Sequence, residues 1–368
     1  MAIPADGVLL HIGVHKTGTT AMQAALADAR EDLVAAGVLY PGSRPAHHRA
    51  ALSSMNHGWG WQDRGGEQVG PQAFRDLAHE VKSHRGRVCI SSEFFCEADE
   101  ATARTIVESL GGSRVHVVVT LRNLGRLLPS SWQQYLKYGM TTGYEKWLGD
   151  VFAAPEDSQH MTPSFWKRHD HGAVVERWAA ATGADHVTVL VLENVERDFP
   201  FRQFAELLDI DPEILVSRMS LTSNRSMTAA EAEFLLRLNR RIVNDLTWGQ
   251  YRSLVREGLA RTLVEGRAPD QREPGLSTPD WALDAAAAKG SAAVAVIRAC
   301  GVPVRGDLDA LATRVPTMPA VPEQTDVPID AAVQALVGVL MAQSADGDAG
   351  LVGRVRKAAG RRVRGVLR

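Results

Sequence analysis

Cysteine is scarce in this chain: Cys89, Cys96 and Cys300 are too few and too scattered for a disulfide framework, and they lack the paired spacing of a zinc site. A reducing compartment and no structural metal are expected. No run of about eighteen apolar residues occurs, which excludes a helical membrane span. A basic leader with a small-residue cleavage site is missing too, because Met1 runs directly into an apolar, strand-like stretch. A cytoplasmic protein is expected on that ground. Internal repeats are absent, and the one biased segment is a basic tail.

What is present is the balance of an ordinary globular protein, 368 residues with 45% hydrophobic and 23% charged, enough for a large core. The net charge of −2 hides an asymmetry. Gly350 to Arg368 hold seven Lys/Arg and no acid, so the remainder carries −9. A nucleic-acid-binding body is expected to be basic, and this one is acidic.

Along the chain, Val8 to Gly13 reads as a short buried strand, and Thr19 to Ala35 then shows helical spacing at Met22, Leu26, Ala29 and Leu33. RVCIS (87–91), VHVVVTL (115–121) and HVTVLVL (186–192) read as further strands, the second β-branched nearly throughout. Helical patterns at 71–84, 99–110 and 173–181 separate them. The alternation predicts a three-layer α/β fold with a central parallel sheet, whose ligands sit at the carboxyl edge of the strands. Beyond Met227 the pattern is mainly helical. The expected domains are a body over 1–310, a proline-rich linker over 311–328 with Pro316, Pro319, Pro322 and Pro328, and a helical, basic tail over 329–368.

Between the first strand and first helix lies Gly13-Val-His15-Lys16-Thr17-Gly18-Thr19-Thr20. By position it is a P-loop-like phosphate loop, where backbone N–H groups and a helix dipole hold an anion. Gly13 and Gly18 have Walker A spacing, yet Thr19 stands where Walker A has lysine, and the lysine is inside the loop at Lys16. A kinase or nucleotide hydrolase needs that lysine to manage a β/γ-phosphate chain with Mg²⁺, and Arg122 follows VHVVVTL where such an enzyme would place an acid.

The stretch His11-Ile-Gly-Val-His-Lys-Thr-Gly-Thr-Thr20 resembles the 5′-phosphosulfate loop of sulfotransferases that use 3′-phosphoadenosine-5′-phosphosulfate (PAPS). The resemblance implies that His15, Lys16, Thr17, Gly18, Thr19 and Thr20 surround the donor, with Lys16 at the bridging oxygen; many members have proline where this chain has His15. Arg122 and Ser130, eight residues apart at a strand end and in the following helix, are similar to the family's 3′-phosphate motif, and Asn224-Arg225 falls where some members contact the nucleotide again. The later unit Val189-Leu-Val-Leu-Glu193 is also similar. The carboxyl-terminal third is unmatched.

The implied activity is transfer of a sulfuryl group from PAPS to a hydroxyl or amine, releasing 3′-phosphoadenosine-5′-phosphate (PAP), without a metal. The alternative is a kinase-like or non-catalytic nucleotide-binding protein. Ser91-Ser92-Glu93-Phe94-Phe95 follows RVCIS at the same expected edge, and looks like the form of the family that uses glutamate as base, so Glu93 is the candidate. A helix-capping carboxylate is the competing role for it, and His15, His47, His48 and His57 are competing bases. The glycine-rich segment through His57, Trp59 and Trp61, with Phe94, is the candidate acceptor surface. The expected partner is a small-molecule, glycan or lipid acceptor, with no nucleic acid. In the tail, Val352, Val355, Ala359, Val363 and Val366 share a helical face opposite most of the arginines. Contact with an anionic membrane and a solvated tail both stand as readings of it.

Overall fold

The computed structural model describes residues 2–153, 165–219, 225–319 and 326–345. Asn224, Pro322 and the basic tail beyond residue 345 lie outside the described residues. Six strands, β1 (Val8–His11), β2 (Val38–Leu39), β3 (Arg87–Ser91), β4 (Val115–Leu121), β5 (Val187–Val191) and β6 (Val304–Arg305), form one all-parallel sheet in the order β2-β3-β1-β4-β5-β6. The strands read as continuous apolar runs because both faces are covered. Val8, Leu10, Ile90, Val117 and Val119 pack under the helices Gln72–Ser83, Glu100–Leu110 and His171–Thr182. Leu9, Cys89, Val118 and Leu190 pack under Thr19–Asp28 and Phe199–Leu208. The fold is a three-layer α/β sandwich.

The expected helix over 19–35 is broken in two at Ala29 (φ −92°, ψ 5°), giving Thr19–Asp28 and Arg30–Ala35. Arg30 holds the break, donating from Nη1 to Ala27 O at 3.2 Å and from Nε to Tyr40 O at 3.3 Å, which turns the chain back towards β2.

A second, all-helical core gathers Leu128, Trp132, Trp147, Leu235, Trp248 and Tyr251. It contains a nine-residue π-helical segment, Arg252–Ala260, and the helix Ile329–Ala345 packs on it. Among the described residues no helix is long and apolar enough to cross a membrane. The sheet order puts β1 between β3 and β4, so the loop leaving β1 lies between the ends of the two neighbouring strands. Strand order reverses there, which makes it the crevice where an open parallel sheet takes ligands.

Candidate active site

The loop after β1 is built by continuing the sheet. Ile12 N donates to Val118 O at 3.1 Å, and Val14 N to Thr120 O at 2.8 Å, so the chain stays paired with β4 through Val14. It then turns over through three left-handed residues, Gly13 (φ 81°), Lys16 (φ 67°) and Gly18 (φ 78°), the last being the N-cap of the helix Thr19–Asp28. Left-handed backbone is unfavourable for lysine, and such strain persists where surrounding contacts hold it. The N–H groups of His15, Lys16, Thr17 and Gly18 meet no acceptor among the described residues. The N–H groups of Thr19 and Thr20 meet none either, whereas Ala21 N donates to Gly18 O at 3.1 Å, so the loop and helix start offer a run of donors to an anion.

Beneath the loop runs a buried polar chain whose members are far apart in sequence and carry no local pattern. Thr17 Oγ1 donates to Val14 O at 2.7 Å and lies 2.7 Å from Thr120 Oγ1. Thr120 Oγ1 is 3.2 Å from His11 Nε2, whose Nδ1 is 2.8 Å from Ser91 Oγ. One set of directions satisfies every member: Ser91 donates to Nδ1, Nε2–H to Thr120, Thr120 to Thr17, and Thr17 to Val14 O. It requires a neutral His11. Burial pushes the pKa of His11 down to about 4, against the opposing charge of Glu93. The Thr17 hydroxyl therefore fixes the loop's shape, and what it offers a ligand is its N–H.

Lys16 has no ion pair or side-chain hydrogen bond among the described residues. Burial lowers its pKa, and the charge of Glu93 works the other way. Glu93 begins a short 3-10 turn directly after β3. A Cβ on Gly13 would fall 2.7 Å from Glu93 Cβ and 3.0 Å from its Cα, so only glycine lets the loop lie against that residue. Gln23 Nε2 donates to Glu93 Oε2 at 2.9 Å, and His48 Nδ1 stands 3.8 Å from the same oxygen. Burial disfavours the carboxylate, but His48, His15 and the Gln23 bond outweigh it and hold the pKa at about 2. The turn is N-capped by Ser92, which accepts from Phe94 N, so Glu93 is not its cap.

The His15 ring is directed at Glu97 and Phe94. Its Nε2 is 3.2 Å from Glu97 Oε1, its ring meets Phe94 edge-on at 5.0 Å, and Arg168 Nε donates to the same Glu97 oxygen at 2.9 Å. Glu97 is buried, which disfavours its charge, yet Arg168 and His15 hold its pKa at about 2. Arg168 also lies 5.8 Å from the Phe94 ring. Arg168 and Glu97 come from segments with no distinctive pattern, so nothing local marks them.

At the end of β4, Arg122 is partly exposed, and its Nε is 3.5 Å from Glu193 Oε1. Glu193, just past β5, also receives Asn123 N at 2.8 Å and Arg126 Nε at 3.0 Å. It braces both arginines at the edge. Ser130 lies on the helix Leu124–Leu136 with its hydroxyl donating to Leu127 O at 2.9 Å, which leaves its oxygen free to accept and its rotor free to turn. Arg225 is committed elsewhere. It forms a two-pronged pair with Glu231 at 2.6 and 2.8 Å and donates to Arg267 O, Ser226 O and Leu263 O.

Next to Glu93, around His48 and Phe94, stands an aromatic wall. Trp59 meets Phe94 at 5.5 Å and His48 at 6.0 Å, and His48 Nδ1 is hydrogen-bonded to Ser92 Oγ at 2.9 Å. Arg256, from the π-helical segment, lies 4.4 Å from the Tyr138 ring and 5.8 Å from the Trp59 ring, with no carboxylate partner among the described residues. Lys137 adjoins it and is likewise unpaired there. Burial pushes its pKa down to about 8, with Lys16 and Arg256 adding to the shift. Trp61 is taken into packing with Trp248 and Tyr251, and its Nε1 donates to Tyr138 O at 2.9 Å. His57 is half-buried, and its backbone N–H is tied to Leu52 O.

Among solved structures, the chain is similar to the sulfotransferase from Alicyclobacillus acidocaldarius. The identity is 15%, over 68% of this chain and 100% of that one, with a TM-score of 0.41. No family model matches the chain, and no curated protein matches it.

Proposed function

We propose that this chain is a sulfotransferase that moves a sulfuryl group from PAPS to a hydroxyl or amine and releases PAP. One observation carries the reading: the adjacent ends of β3, β1 and β4 bring Glu93, an unpaired Lys16 and the braced Arg122 to a single edge around a loop of free N–H groups. An in-line transfer with a loose transition state needs those parts and little else.

The loop's N–H groups hold the 5′-phosphate, and Arg122 with Ser130 holds the 3′-phosphate. As the acceptor oxygen or nitrogen bonds to sulfur, the bond from sulfur to the bridging oxygen breaks. That oxygen leaves with the electron pair as part of PAP, and Lys16 meets its growing charge. Glu93 takes the acceptor's proton. Trp59 and Phe94 stand beside Arg256, which has no carboxylate partner among the described residues, and this supports an acceptor with a ring and an acidic substituent.

Titration calorimetry with PAP and AMP, without Mg²⁺, tests the reading. PAP is expected to bind at least tenfold more tightly, and Arg122→Ala to remove most of the difference. Equal affinities would leave a plain nucleotide binder.

A further inference from the structure

The helix Ile329–Ala345 is built inside out. A surface helix ordinarily turns its large apolar side chains inward and its polar ones outward. Here the buried positions are Ala331, Ala335 and Gly338, whereas the exposed stripe is Ile329, Val333, Leu336, Val337, Leu340 and Met341, with Ile329 83% and Leu336 65% exposed. Those six recur at helical spacing and carry no charge.

The small residues on the inner side have a clear cause. A Cβ on Gly338 would lie 2.3 Å from Gly258 O, and one on Gly258 would lie 2.9 Å from Gly338 O, so the helix crosses the π-helical segment backbone to backbone. Its first turn is fastened by Asp330, which receives Arg267 Nε at 2.6 Å, and Arg267 in turn holds the fully buried Glu231 at 2.8 Å. The element is part of the fold, and its apolar side faces solvent by construction. A stripe of this size on a soluble monomer marks an interaction surface.

The sequence that follows says what covers it. After Asp346 and Asp348 the chain turns basic, with seven Lys/Arg and no acid from Gly350 to Arg368. A second copy seated on the stripe would bring two such segments together, like charge against like. An anionic lipid surface accepts the apolar stripe and attracts the basic segment at once, and stable membrane attachment ordinarily takes two such signals. The helix has 17 residues and a charged first turn, which suits lying in the interface and not crossing it.

We infer that the exposed apolar face of the helix Ile329–Ala345 docks this protein onto an anionic membrane surface. The inference is independent of the proposed chemistry, since none of its residues belongs to the phosphate loop or the aromatic wall.

Flotation of the full chain with phosphatidylcholine vesicles, with and without 30 mol% (about one lipid in three) phosphatidylglycerol, tests it. At least tenfold more protein is expected on the anionic vesicles, with much of that lost in about 0.5 M salt. Leu336→Ser combined with Leu340→Ser should cut binding about tenfold. Both side chains face solvent, so the melting temperature and PAP affinity of the double variant should match the parent, which separates loss of docking from misfolding. Failure of the parent to float with anionic vesicles overturns the inference. So does undiminished binding of the double variant, which would put the contact in the basic segment alone. Concentration-dependent dimerisation that the double variant abolishes, without vesicle binding, assigns the face to a second copy instead.

Discussion

In the proposed chemistry Glu93 is the base, yet its environment favours the charged form so strongly that its pKa sits at about 2. A carboxylate that acidic is a weak proton acceptor at neutral pH, so its contribution has to come from position and from being ionised throughout the working range. His48 is the nearest rival, since it adjoins Glu93 Oε2 and packs on Trp59 and Phe94. Glu93→Gln keeps the shape and removes the charge. It is expected to reduce turnover by about 10² or more while PAP affinity stays within roughly twofold, and His48→Gln to cost less than about tenfold. Single-turnover rates with saturating donor read both. A larger loss in His48→Gln than in Glu93→Gln would move the base to His48 and leave Glu93 as its anchor.

At the scale of the element, the phosphate loop shows what was legible. Gly13, Lys16 and Gly18 stand out because a glycine-bounded turn between an apolar run and a helix is a local pattern, and β4 stands out because its β-branched run is buried on both faces. The contacts that shape the site are not local. His11 reads as one more strand residue until Ser91 and Thr120 close on it, and Arg256 reads as one residue of a mainly helical region until a π-helical turn sets it over Tyr138. The edge strands β2 and β6 have two residues each, too short to show a period. The two glycines also separate by experiment. Gly18→Ala meets no atom within 4 Å and bears only the left-handed backbone cost, about 1–2 kcal/mol. Gly13→Ala adds the overlap with Glu93 and should destabilise by roughly 2–4 kcal/mol. Thermal unfolding of the ligand-free variants should show the larger loss at Gly13, and equal losses would contradict the close approach.

Across the whole molecule, buried imidazoles set the acid limit of stability. His11, His47 and His171 are all lowered to about 4, chiefly by burial, against about 6.5 in an unfolded chain. Between those values the unfolded state binds protons that the fold refuses. Stability is therefore full above pH 6.5 and declines as pH falls towards 4, by up to about 1.4 kcal/mol per pH unit for each histidine. Glu93 and Glu97, depressed to about 2, add a second loss below about pH 4.5. Melting temperatures should already drop between pH 7 and 5; a flat profile to pH 5 would show that the histidines are not held neutral. The sheet order also dictates a schedule for synthesis. β1 is made first, but its partners are β3 and β4, and the loop is pinned to Thr120. On a ribosome adding about 5–20 residues per second, the first strand waits roughly 5–20 s for the fourth. Throughout that interval an apolar segment stands without its pairing edges, and the nascent chain cannot pin the loop after β1 until residues well past 120 have left the exit tunnel.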